Sequence, residues 1–345
     1  MDPAQQNKTP TDNGVAAGAA SASSQSHLQK IFYSRGTSEL RAGWRLLIYF
    51  AIFFAVQRGL FILSFVLFRP RGSQFQQPKE LTPTLLYFFD TITLGAALFA
   101  AFVMSKIERR KVGAYGLPLR HAFRGKFWLG MAWGFGAITM LLTVLWLAHD
   151  LNFGGAALHG GAVVWHALAW AGAFLLVGLS EEFVFRGYLQ YVLTTGISFW
   201  PAAILGSLYF AYVHRSNSGE QWLGLGQVVI IALFFCFTVW RTGTLWFAVG
   251  YHAAWDWGQT FFYGTSDSGL PGRGHLLNSS FHGPAWLTGG SVGPEGSVLN
   301  IPLVLMVWIL FHFLVRKGLP YPDLSRPRPA REPVLPAPPS DTATM

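Results

Sequence analysis

Apolar residues run along this chain in long unbroken stretches rather than in alternation, and short clusters of Arg and Lys separate the stretches. A helix rises about 1.5 Å per residue, so crossing a hydrocarbon layer about 30 Å thick takes about 20 apolar residues. By that rule the pattern predicts an all-α polytopic transmembrane helical bundle of about eight spans, near residues 44–68, 84–105, 127–148, 162–180, 197–213, 223–240, 244–263 and 298–315. The fifth is short, and Pro201 near its start predicts an irregular or tilted helix. No internal repeat of fixed period is visible, which counts against a transporter built from duplicated halves. The two ends break the pattern. Residues 1–40 have no apolar periodicity and no signal-peptide stretch, and residues 321–345 are Pro-rich. Both are expected to be disordered tails flanking a membrane domain at 41–320.

Composition strengthens this reading. Of 345 residues 52% are hydrophobic and only 12% charged, about half the charged fraction of an ordinary soluble domain. The formal net charge of +9 is concentrated between spans, where membrane topology accounts for it, so no nucleic-acid partner is expected. Lys30, Arg35 and Arg41 precede the first span, and Lys106, Arg109, Arg110, Lys111, Arg120, Arg124 and Lys126 separate the second from the third. Arg316, Lys317, Arg326, Arg328 and Arg331 follow the last. These positions predict an integral protein of a bacterial plasma membrane with both termini cytoplasmic; Arg69, Arg71 and Lys79 argue weakly the other way. The long Gly-rich connection at about 264–297, poor in charge, fits the outer face. The single cysteine, Cys236, allows no intrachain disulfide and reads as a packing residue.

Ionisable side chains within spans cost about 2.5 kcal/mol or more each on insertion scales, so those that occur mark a bundle interior or a water-filled cavity. Three clusters qualify: Glu181, Glu182 and Arg186 in SEEFVFRGYLQ; Phe210 and His214 in SLYFAYVHR; His252 and Asp256 in GYHAAWDW. Glu182 and Arg186 are four apart and share a helical face, whereas Glu181 is turned about 100° away. That divides the labour: one carboxylate is held by the arginine and the other stays available to accept a proton. The competing reading is an architectural ion pair at the membrane surface. A lone His214 at a span end is commonly interfacial. His252 and Asp256, again four apart, present an imidazole and a carboxylate on one face of a Trp-rich span, against which stands a plain interhelical hydrogen bond. Arg45 and Arg58 can snorkel or pair, Asp90 can cap or bond between helices, and His166 and His312 are isolated.

The order EExxxR, FxxxH, HxxxD across successive spans resembles the CPBP intramembrane protease family, which includes type II CAAX prenyl proteases and bacterial Abi-type proteins. The resemblance covers about residues 170–260. It implies that Glu181 and His214 activate a water and that His252 and Asp256 help stabilise the oxyanion, with Glu182, Arg186 and Phe210 in support. The substrate would be a membrane-associated protein or peptide, with membrane lipid as the surrounding partner. Asp256 stands where eukaryotic members carry Asn, and an ionised Asp cannot donate to an oxyanion. The preferred reading has no cofactor. The alternative places zinc on Glu181, His214, His252 and Asp256, although four protein ligands would close a tetrahedral site to the catalytic water. A non-catalytic scaffold or immunity-type binding protein is the rival class.

Overall fold

The computed structural model describes residues 39–68, 79–318 and 321. The tails at 1–38 and 322–345 and the segment at 69–78 with Arg69 and Arg71 lie outside them, as do Lys30, Arg35, Arg326, Arg328 and Arg331. Of the unit Met1–Arg41 only residues 39–41 are described, and the helical architecture is that of the unit Ala42–Met345.

The apolar stretches are helices: α1 Ala42–Phe68, α2 Pro83–Ile107, α3 Gly125–Leu147, α4 Gly161–Glu182, α5 Gln190–Ile197, α6 Phe199–His214, α7 Trp222–Thr242, α8 Trp246–Asp256, α9 Ala285–Thr288 and α10 Asn300–Leu314. Five helices among the described residues are long and apolar enough to cross a membrane: 42–67, 83–107, 125–147, 161–197 and 222–242. The expectation of eight spans exceeds this, for a physical reason. α6 has 16 residues and α10 has 15, about 24 Å or less of rise, and α8 passes after 11 residues into a wider π-helical turn, Trp257–Phe262. A polytopic helical bundle is nevertheless the architecture.

Two local expectations need correction. Pro201 does not disturb α6: it lies in the first turn, where a missing N–H leaves no bond unmade. The break lies before it, at Ser198, whose φ is 71°. The fourth span also does not stop near residue 180. The helix continues from α4 through a π-helical stretch, Phe183–Leu189, into α5, so the Glu–Arg motif lies inside the bundle, with Glu182 and Arg186 at 0% and 1% exposure. The pair is therefore enclosed by protein and not on its outer surface.

The closest helix crossing joins α3 to α8. A Cβ on Gly130 would come within 2.2 Å of the Phe247 carbonyl oxygen, one on Gly134 within 2.1 Å of that of Tyr251, and one on Gly250 within 2.2 Å of that of Phe127. Small residues four apart let the backbones meet, as is common between membrane helices, and this contact fixes α8 against the bundle. At one end the connections between helices pair with one another. β1 (Leu151–Ala156) pairs antiparallel with β2 (Leu277–Phe281), Leu151 opposite Phe281 and Phe153 opposite Ser279. A bridge of Leu81 with Gly272 ties the start of α2 to the same connection between α8 and α10. At the other end the basic segment between α2 and α3 packs on the α7–α8 turn, with Leu245 N donating to Gly116 O at 2.9 Å and Lys126 Nζ to Thr242 O at 2.5 Å.

Candidate active site

The EExxxR and HxxxD motifs meet at the imidazole of His252. Glu182 Oε1 accepts from Arg186 Nη1 at 3.1 Å and from His252 Nδ1, also at 3.1 Å. A carboxylate oxygen can only accept, so Nδ1 carries the proton, and the orientation of the ring is set by a residue 70 positions away. The other ring nitrogen, Nε2, lies 3.5 Å from Asp256 Oδ2 and 3.8 Å from Glu181 Oε2. The Glu181 side chain is 30% exposed against none for Glu182. The division of labour between the adjacent carboxylates therefore has a geometric basis: Glu182 is enclosed and committed, Glu181 is reachable.

Two of the motif residues border a departure from α-helical winding. Glu182 directly precedes the first π-helical stretch, in which Gly187 has φ −81° and ψ −110°, and Asp256 directly precedes the second. Such turns widen the helix and redirect side chains, and they recur at functional sites. Tyr321, assigned by sequence to the C-terminal tail, is buried against the first stretch, with its hydroxyl 3.0 and 3.1 Å from the carbonyls of Arg186 and Gly187.

Phe210 joins the second motif to the first. Its ring lies 4.2 Å from the Arg186 guanidinium carbon and 4.2 Å from the His214 ring, so the arginine has an aromatic face to rest on where water is excluded. His214 Nδ1 lies 2.8 Å from the Phe210 carbonyl and must donate to it, which leaves Nε2 of the neutral ring as an acceptor. His214 lines a cavity of about 110 Å³ together with Phe210, His252 and Asp256. Among the described residues no ion pair joins His214 to Glu181, which reaches His252 without lining this cavity.

Among the described residues, no group of three or more His, Cys, Asp or Glu is gathered closely enough, as the side chains are placed, to hold a metal ion. The motif reading also missed several neighbours. Phe235 of α7 stacks on His252 at 5.8 Å and lies 5.7 Å from the Arg186 guanidinium. Asp267, Glu295 and Asn300 line the cavity. The only hint of the two acids in sequence is that they interrupt a connection poor in charge. Asp90, an open case, accepts from Ser180 Oγ at 2.6 Å and so bonds α2 to α4.

Residues 163–258 match the family model described as type II CAAX prenyl endopeptidase Rce1-like. This segment is similar to the Rce1-like family. The match contains all seven motif residues, from Glu181 to Asp256, and the resemblance to CPBP proteases is borne out over that stretch. The Rce1-like segment comprises α4 to α8, whereas α1 to α3, the connection after α8 and α10 lie outside it. No curated protein matches the chain.

Proposed function

We propose that this protein is an intramembrane endopeptidase that hydrolyses a peptide bond of a membrane-associated protein or peptide with a glutamate-activated water and without a metal. The observation that carries the reading is the placement of His252, with Glu182 on one nitrogen and Glu181 and Asp256 facing the other. Glu181 takes the proton of the attacking water, and the acceptor nitrogen of His214 orients that water from the cavity side. The new C–O bond turns the scissile carbonyl into an oxyanion. His252, donating to Glu182 through Nδ1, donates to the oxyanion through Nε2 in its doubly protonated form, and Asp256 steadies that charge from one helical turn away. Glu181 then returns the proton to the leaving amine as the C–N bond breaks, which balances the step. Arg186 acts through Glu182 and is a positioning residue.

The loops supply an orientation. The basic segment between α2 and α3 shares its end of the bundle with the α7–α8 turn, and the cavity is lined by the α6–α7 loop and the α8–α10 connection, at the opposite end of α7. With the basic end cytoplasmic, substrate approaches from the outer face. The test compares membrane peptides from cells that make the parent or Glu181→Gln at equal protein level. Peptides cut by the parent should remain whole in the variant; an unchanged peptide pattern would favour a non-catalytic scaffold instead.

A further inference from the structure

The cavity at His214 and His252 has a second wall that the proposed chemistry does not use. Glu220 reaches it from the α6–α7 loop, Asp267 and Glu295 from the connection after α8, and Asn300 from the first turn of α10. Three of these four lie outside the Rce1-like segment, so this wall belongs to the chain's own elaboration of the site.

The wall presents acceptors, and neutral donors hold its carboxylates without neutralising them. Asp267 Oδ2 accepts from Thr260 Oγ1 at 3.0 Å. Glu295 Oε1 accepts from Ser268 N at 2.7 Å and Oε2 from Gln259 Nε2. Glu220 Oε1 accepts from Gln221 N at 3.0 Å. Among the described residues, no lysine or arginine pairs with any of the three, and none lines the cavity. A second, independent sign comes from Asn300. It is 5% exposed, its Nδ2 donates to Glu295 O at 3.2 Å, and its Oδ1 is buried without a partner. Because the Nδ2 bond fixes which way the amide points, the free group is an acceptor. An unmet buried acceptor beside carboxylates that no lysine or arginine neutralises calls for a ligand that donates and is positive. Consistently, burial pushes the Asp267 carboxyl up to about 6, and burial and the neighbouring Asp267 charge raise that of Glu295 above the usual carboxylate range.

We infer, on the protease reading above, that Glu220, Asp267, Glu295 and Asn300 form a subsite for one cationic side chain, lysine or arginine, of the peptide substrate. A cavity of about 110 Å³ holds the volume of several waters, at about 10–15 Å³ each, which suits the head of a single long side chain. Occupancy sets the substrate chain beside His214, His252 and Asp256, so the subsite selects where the chain is cut.

Binding is measured separately from cleavage. Purified full-length protein in lipid nanodiscs is titrated with n-butylammonium, with n-butanol and with magnesium chloride at constant ionic strength, following thermal stability. Butylammonium should stabilise the parent and Glu181→Gln alike, butanol and magnesium should not, and Glu295→Gln should weaken the butylammonium response at least tenfold. Glu220→Gln, on the loop, serves as the second variant should Glu295→Gln fail to fold, with a smaller loss in the same direction. An equal response to butanol, a response to magnesium in place of butylammonium, or an undiminished response in a folded subsite variant overturns the inference. Cleavage of a randomised peptide library gives the other arm: parent enzyme should prefer Lys or Arg at one fixed position, and Asp267→Asn should lose that preference. Cleavage without any such preference overturns the subsite and leaves the protease reading standing. Butylammonium binding without cleavage of any peptide supports the subsite and counts against the protease reading.

Discussion

At the basic end of the bundle, Arg45 of α1 forms a bidentate pair with Glu108 just past α2, Nε to Oε1 at 2.9 Å and Nη2 to Oε2 at 2.8 Å. Tyr188 and Tyr115 donate to the same carboxylate and Thr195 takes the remaining guanidinium nitrogen. Deeper in the bundle, Glu182 gives one oxygen to both Arg186 and His252, while its Oε2 and Arg186 Nη2 are buried without partners. Both clusters place an arginine and a glutamate out of water. In the first, every nitrogen and oxygen of the pair has a partner, and the pair holds α1 to α2. The second keeps capacity in reserve and has a cavity beside it, which is the arrangement expected of a site that must meet a changing charge. Buried ion pairs are thus no guide to function by themselves; what distinguishes these two is whether every polar atom is met.

The sharpest way to test that distinction is to neutralise one carboxylate on the open side. Glu181→Gln should cut peptide hydrolysis by about 10²–10⁴-fold with the thermal midpoint unchanged, because Glu181 is partly exposed and holds no arginine. Parallel losses of activity and stability would merge the two clusters into one structural class. Next in size, Arg45→Met in the closed cluster should cost about 3–5 kcal/mol of stability, since Glu108 stays buried without its cation, while protein that remains folded keeps its turnover. Unfolding in detergent and activity per folded molecule measure the two effects.

Arg186→Met should show both behaviours, because the arginine supports Glu182 and Glu182 orients His252. A loss of about 3 kcal/mol, the low end for a broken buried pair, should accompany reduced kcat with KM little changed, and Arg186→Lys should recover stability more than rate because it lacks the planar fork. A smaller effect is expected at Asp256. On the metal-free proposal Asp256→Asn loses part of the activity, since the amide carries no charge to steady the His252 imidazolium, while metal content by elemental analysis is the same in both proteins; stoichiometric zinc lost together with activity would refute the proposal. The smallest effect concerns pH. Asp267 ionises near pH 6, with Glu295, Glu181, Asp256 and His252 as the charged neighbours facing it. Its carboxyl is neutral below that value and negative above it, so the affinity for butylammonium should rise between pH 5 and 7 and flatten in Asp267→Asn.

Much of this was legible before any tertiary structure. Helix positions followed from runs of apolar residues, and the Glu182–Arg186 pair followed from a spacing of four, because both are properties of a chain over one or two turns. The three motifs named the residues that gather around His252 through the order in which they occur. What spacing could not reach is adjacency across the bundle. Glu108 as the partner of Arg45, the hold of Glu182 on His252, and the wall of Glu220, Asp267, Glu295 and Asn300 join residues tens of positions apart. They depend on α3 and α8 touching backbone to backbone at Gly130, Gly134 and Gly250, and on a connection that folds back over the cavity. The sequence by itself determined a helical membrane bundle and singled out the candidate side chains within it, since hydrophobic length and helical period act locally. Only the tertiary structure decided that the enclosed Glu182 also holds His252 and that Glu181 and Asp256 face the other ring nitrogen, because burial and hydrogen-bond partners are set by what packs against a helix rather than by the helix itself.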